Sequence, residues 1–255
     1  MSNHFDEVAE LYDSLLAPLP KEYIQLIWMH FNLSKYDRVI DLGCGSGLLT
    51  IPLARLSSHV EGLDSSEKLL KIARSRDTHK RVRWIHSPAE EFDFGREKYK
   101  LIISFEAFHL FNKPEELIRK CSLALKVGGY LCVGWIIYHW EQSLKDIIID
   151  VFASNGIMWG EWGYWSCPKF ADLVKHGNFG LSSVVQKTLM VDVSSHIKDI
   201  VLYLTSIDIA APLKPEARVD LAQELETKLR SALSSEWIRG VSLYTIAYSQ
   251  KVSLI

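Results

Sequence analysis

Asp41, Gly43, Cys44, Gly45, Ser46 and Gly47 stand together where a short apolar run, Val39 to Leu42, meets a helix expected from Leu48 to Leu56. Three glycines in five residues let the backbone turn tightly and pass close to a ligand. The helix behind them offers free N–H groups and a positive dipole end to an anion. A purely structural turn accounts for one or two such glycines, not for three at a strand-to-helix junction. The rival ligand is a dinucleotide, whose fingerprint spaces glycines as Gly-x-Gly-x-x-Gly. Here the third glycine falls one residue early, and Leu48 takes its slot. Asp41 would also face a pyrophosphate with like charge, so it favours a cationic ligand group, with the loop amides left for a carboxylate. The methionyl part of S-adenosylmethionine carries both groups. Asp64 ends the next apolar run about 20 residues on, where a carboxylate takes both hydroxyls of a ribose; its alternative role is to cap the helix that follows Ser65.

These residues need a parallel sheet behind them. Apolar runs at Val39–Leu42, Val60–Leu63, Val82–Ile85 and Leu101–Phe105 alternate with charged helical stretches, as βαβ units require. Ser65 or Ser66 caps one helix, and Pro114 with Glu115 and Glu116 opens another that Gly128 and Gly129 are expected to end. Tyr130–Ile136, Gln186–Val193 and Val241–Ser249 read as later strands, the last two separated by a helix from Pro215 to Leu233. Two helices precede the first strand, one through Phe5, Val8, Ala9, Tyr12, Leu15 and Leu16 and one from Pro20 to Phe31. Aromatic residues crowd the stretch from Trp135 to Trp165, which reads either as a packed helix and loop or as a lid over the substrate.

The chain of 255 residues fits one α/β domain with a substrate-facing insertion. Lys and Arg number 29 against 31 Asp and Glu, for a net charge of −2, so a nucleic acid partner is disfavoured. Neither a signal peptide nor an apolar run of about 20 residues is visible, which predicts a cytoplasmic protein that does not enter the membrane. The four cysteines show no zinc-type spacing, and no metal is expected.

The stretches Val39-Ile-Asp-Leu-Gly-Cys-Gly-Ser-Gly47, Gly62-Leu-Asp-Ser65 and Leu125-Lys-Val-Gly-Gly-Tyr-Leu131 resemble the class I S-adenosylmethionine-dependent methyltransferases, in order across residues 36–136. Ser104-Phe-Glu-Ala-Phe-His-Leu-Phe111 and the opening Phe5 to Tyr12 look like the small-molecule branch that includes trans-aconitate methyltransferase-like proteins. The resemblance implies a Rossmann-like, seven-stranded, mostly parallel sheet with the last strand antiparallel and helices on both faces. It implies one domain: a helical cover over 1–34, a cofactor-binding core over 36–136, a substrate lid over 137–180, and strands and helices over 181–255 that complete the sheet. It places Asp41 and the loop Gly43, Cys44, Gly45 and Gly47 around methionine, Asp64 on the ribose, and Leu63 and Ser65 beside the adenine. The family's acidic residue on the adenine amino group is replaced here by Pro88, leaving the Ala89 N–H and Glu90 to serve the ring.

In the implied fold, Ser104 to His109 border both cofactor and acceptor. Ser104-Phe-Glu-Ala107 lacks the Asn/Asp-Pro-Pro-aromatic motif of enzymes that methylate nucleobases or amides, so a small-molecule acceptor is expected. His109 is the candidate base, because an unshifted histidine titrates near 6.5. Glu106, Tyr12, Trp135, Trp162 and Trp165 are candidates for the acceptor side. Two other functions remain compatible with these residues: an S-adenosylmethionine-binding scaffold without catalysis, and a dinucleotide-dependent oxidoreductase. Neither the acceptor, nor the choice among O-, N- and C-methylation, nor the oligomeric state is legible.

Overall fold

A computed structural model describes residues 6, 9–11, 13–14, 16–157, 166–206, 210 and 213–253. Its chain order is α1 (Lys21–His30), β1 (Arg38–Leu42), α2 (Thr50–Ala54), β2 (His59–Asp64), α3 (Glu67–Arg76), β3 (Val82–His86), β4 (Tyr99–Phe105), a 3₁₀ turn (Phe108–Leu110), α4 (Pro114–Ala124) and β5 (Leu125–His139). There follow α5 (Gln142–Ser154), α6 (Ser166–His176), β6 (Val185–His196), α7 (Ile197–Ser206), α8 (Pro215–Ala232) and β7 (Trp237–Gln250).

The strands form one seven-stranded sheet in the order β3-β2-β1-β4-β5-β7-β6. β1 to β5 pair in parallel, and β7 runs antiparallel between β5 and β6. The expected sheet, with its last strand reversed, is therefore present. Alternation along the strands sends Val39, Leu101 and Ile103 toward α1 and α2, and Ile40, Leu42 and Ile102 toward α4 and α6. A third apolar cluster joins α5, α7 and α8 through Ile148, Phe152, Ile200, Leu204, Leu221 and Leu225. The expected lid is thus divided: Phe170 and Val174 of α6 join the sheet's own core, while α5 packs with the later helices.

Gly128 and Gly129 do not end a helix. α4 stops at Ala124 and β5 begins at once, paired through Tyr99↔Leu125 and then, after an irregularity, Leu101↔Tyr130. Four residues of β5 bulge out there, and Gly128 takes the left-handed φ of +77° that the bulge needs. The helix expected over 48–56 is shorter, because Gly47 to Leu49 form turns before Thr50. α7 has no counterpart among the sequence expectations.

Candidate cofactor and acceptor site

β1 and β2 end side by side, with Asp41 paired to Gly62 and Leu42 to Leu63, so Asp41 and Asp64 open on one crevice at the strands' carboxyl ends. The glycine loop is pinned between them. Gly43 and Cys44 N–H donate to the Leu63 carbonyl at 2.8 and 3.1 Å, and Gly45 N–H donates to Asp64 Oδ2 at 2.7 Å. Gly43 has φ of +68°, and a Cβ there would lie 2.4 Å from the Ala107 Cβ, so only glycine lets the loop meet the end of β4 this closely. Gly45, at φ +53°, would place a Cβ in open space, and it lines the cavity. Gly47 is different: its Cβ would strike the Trp84 ring at 2.7 Å and Ile51 at 3.0 Å, and it lies outside the cavity lining. It serves packing rather than ligand contact.

Asp41 Oδ2 accepts from the Thr50 hydroxyl at 2.7 Å, while the buried Oδ1 has no partner among the described residues. Burial raises its pKa to about 7, with the Thr50 hydrogen bond opposing and the Asp64 charge adding. A buried carboxylate oxygen on a cavity wall costs stability until a donor meets it, and an ammonium supplies both donor and charge. By that measure the site fits a methionyl ammonium. Asp64 Oδ1 accepts from Ser66 N–H at 2.8 Å; burial raises its pKa, against the amide bonds of Ser66 and Gly45. Each carboxylate oxygen has a further acceptor site, so the amides fix Asp64 and leave capacity for hydroxyls.

Ser66, not Ser65, caps α3, accepting from Leu69 N–H and donating to Asp6 Oδ1 at 2.5 Å. Asp13 closes a bidentate pair with Arg76 at 2.6 Å for each bond, and Arg76 also donates to Ser46 at 3.2 Å. The N-terminal segment is therefore tied directly to the glycine loop.

One cavity of about 650 Å³ runs from this loop past Ser65, Ser87, Pro88, Ala89 and Glu90 and on to the far strands. Glu90 lines it and accepts from Asn112 N–H at 2.9 Å. Glu106, expected on the acceptor side, lines it too; its φ of +56° is a left-handed conformation that a non-glycine residue adopts under constraint. Its carboxylate accepts from Ile136 N–H, and its own N–H donates to the Gly134 carbonyl at 2.9 Å, binding the end of β4 to β5.

Several expected residues are placed elsewhere. Trp135 is buried in the sheet core with Phe170, because on β5 Gly134, Ile136 and Tyr138 share the cavity side and Trp135 faces the other way. Ser104 is buried with an unpartnered hydroxyl and lies outside the lining, one residue out of phase with Phe105. His109 is on the 3₁₀ turn, between the lining residues Ala107 and Leu110 but not among them. Tyr12, Trp162 and Trp165 lie outside the described residues.

The far half of the cavity is built by residues that sequence reasoning missed as site residues: Tyr138 and Trp140 at the end of β5, Val193 and Ser195 of β6, Asp199, Ile200 and Tyr203 of α7, and Ser242 and Tyr244 of β7. Period-two alternation was the available signal on the strands, since Tyr138 pairs with Ser242 and Ile136 with Tyr244. Asp199 and Tyr203 are four apart on one helix and share a face. Burial, and after it the Glu106 charge, push up the phenols of Tyr138 and Tyr244, which sets all three within one electrostatic neighbourhood.

Residues 39–129 match the protein family described as a methyltransferase domain. The chain is 28% identical over 146 residues to a ubiquinone biosynthesis O-methyltransferase of Hydrogenovibrio crunogenus, covering 56% of this chain and 57% of that one. It is also 28% identical over 123 residues to the Agrobacterium fabrum protein of the same name, covering 48% of each. It thus spans about half the length of these relatives. Among solved structures, phosphoethanolamine N-methyltransferase 2 of Haemonchus contortus superposes with a TM-score of 0.61 at 16% identity, over 99% of this chain and 60% of that one. Residues 39–129 thus match a methyltransferase domain, and the sheet they belong to has the order β3-β2-β1-β4-β5-β7-β6 with β7 antiparallel. The family match ends at residue 129, before every acceptor-side residue from Ile136 onward.

Proposed function

We propose that the protein transfers the methyl group of S-adenosylmethionine to a small-molecule acceptor. The observation that carries this reading is the buried, unpartnered Asp41 Oδ1 on the wall of a cavity that the glycine loop and Asp64 also line. Asp41 would hold the ammonium, the glycine loop would lie along the methionyl group, Asp64 would take the ribose hydroxyls, and Ala89 with Glu90 the adenine edge. The bound cofactor supplies an electrophilic methyl on a sulfonium. The chain's own work is then to align the acceptor in line with that methyl and to exclude water, which a cavity walled by Phe105, Ile136, Tyr138 and Tyr244 favours. No described nucleophile is needed for the transfer itself. Among the described residues no helix is long and apolar enough to cross a membrane, and none cluster as metal ligands.

Calorimetric titration with S-adenosylhomocysteine tests the reading. Binding is expected, and Asp64→Ala should remove most of it; because the same change strands the Gly45 and Ser66 amides, the apo melting temperature should fall as well. At about 100 times its dissociation constant the ligand should add about 2.7 kcal/mol of stability. Absence of binding at millimolar ligand would overturn the proposal.

A further inference from the structure

The charges that line the cavity are unbalanced. Its described lining carries seven carboxylates, Asp41, Asp64, Glu90, Glu91, Glu106, Glu116 and Asp199, against one basic side chain, Lys113. Lys113 begins α4 next to Asn112, whose N–H holds Glu90, so it belongs to the adenine side. On the acceptor side Glu106 and Asp199 face the cavity with no basic group among the described lining residues. An anionic acceptor would enter that space against two like charges, with no basic lining group among the described residues to pair it.

Aromatic side chains line the same space. The Tyr138 and Trp140 rings stack at 5.6 Å with 16° between their planes, and Tyr203 meets Tyr138 edge-on at 5.9 Å. Gly240 makes room for this group: a Cβ there would lie 2.7 Å from the His139 carbonyl and 3.0 Å from the Trp140 ring. Ring faces attract alkylammonium groups, and the attraction grows when the cation is desolvated. Ser242 is also among the cavity's residues, and its buried hydroxyl has no partner among the described residues.

Resting on the methyltransferase reading, we infer that the acceptor is an amine, which the Tyr138–Trp140–Tyr203 rings and the carboxylates of Glu106 and Asp199 receive as its ammonium. Glu106 is the group that takes the proton. Its hydrogen bond from Ile136 N–H and its left-handed backbone fix the side chain's direction, and a carboxylate has about four acceptor sites, so an ammonium is accepted besides. The balance is complete. One N–H proton passes to the Glu106 carboxylate; the freed nitrogen lone pair forms the N–C bond as the S–C bond breaks, and that bonding pair stays on sulfur. The products are a methylated ammonium, a neutral thioether and a carboxylic acid that returns its proton to water. The relatives named as O-methyltransferases offer a phenol as the competing acceptor, and a phenol gains nothing from the second carboxylate of Asp199.

The test uses the whole chain saturated with S-adenosylhomocysteine and titrated calorimetrically with four probes of similar size: 2-phenylethylammonium, 2-phenylethanol, 4-ethylphenol and phenylacetate. The ammonium should bind at least tenfold more tightly than each of the others. Glu106→Gln, which keeps an acceptor for Ile136 N–H, should remove most of that preference, and Tyr203→Ala part of it, while both variants hold S-adenosylhomocysteine within threefold of wild type. Tighter binding of 4-ethylphenol, or no preference for the ammonium in a protein that binds S-adenosylhomocysteine, would overturn the amine assignment alone. Failure of the wild type to bind S-adenosylhomocysteine would overturn both readings.

Discussion

The two halves of the cavity are built on different principles. In the half proposed for the cofactor the lining groups are a backbone loop and two strand-end carboxylates, and the stretch from Asp41 to Ser46 supplies many of them. In the acceptor half they are side chains from the end of β4, the end of β5, and from β6, α7 and β7, brought together by register and helix docking. A backbone site tolerates few replacements, because the main chain itself must fit. A side-chain site changes its ligand by single substitutions on an unchanged frame.

The contrast predicts unequal responses to one added methyl. Gly43→Ala combines a left-handed φ with a 2.4 Å approach to Ala107, so strain and overpacking should together cost about 2–4 kcal/mol. S-adenosylhomocysteine affinity, read by calorimetry, should fall on the order of a hundredfold. Gly240→Ala, which presses on Trp140, should weaken 2-phenylethylammonium and leave S-adenosylhomocysteine within threefold. Equal loss of both ligands from either variant would erase the division between the halves.

Next in size is Asp41→Asn, which removes a charged partner worth about 1.5–3 kcal/mol, or roughly 10–150-fold in cofactor affinity. The same residue gives the pH dependence. With a folded pKa of about 7, Asp41 is mostly protonated at pH 6, so S-adenosylhomocysteine binding should strengthen about tenfold between pH 6 and pH 8, and the asparagine variant should lack that rise. The sign for the apo protein is opposite. The folded state holds a proton that the unfolded chain releases near 3.8, so this group's contribution falls as pH rises from about 4 through 7. A flat binding profile in the wild type would remove Asp41 from the ammonium site.

Arg76→Ala should act more mildly. It frees the N-terminal segment from the glycine loop by deleting a bidentate but half-exposed pair with Asp13, worth about 1 kcal/mol. Cofactor affinity should drop about three- to fivefold, and limited proteolysis should cut the segment before residue 20 sooner; unchanged cleavage would show that the pair does not hold the cover. The smallest effect belongs to Ser242→Ala. The hydroxyl has no partner to lose, so apo stability should change by less than about 1 kcal/mol or rise, while ammonium affinity falls only a few-fold. A clear loss of stability would mean that the hydroxyl is already satisfied within the fold.

What the sequence determined by itself was local. Strand–glycine loop–helix grammar, the strand-end positions of Asp41 and Asp64 and the alternation of apolar runs depend on neighbours in the chain, and the parallel part of the sheet and the cradle follow from them. The reversed last strand and the place of Glu106 beside the crevice came from the family resemblance and not from local pattern. Tertiary structure alone decided which way β5 faces, sending Trp135 into the core and Tyr138 into the cavity, because a shift of one residue in a strand exchanges its faces. It also decided that Gly47 packs against Trp84, that Ser104 and His109 miss the lining, and that Asp199 and Tyr203 of an unforeseen helix arrive opposite Glu106's strand. Those placements rest on antiparallel pairing and helix docking between residues up to 120 positions apart, and no local pattern encodes such distances.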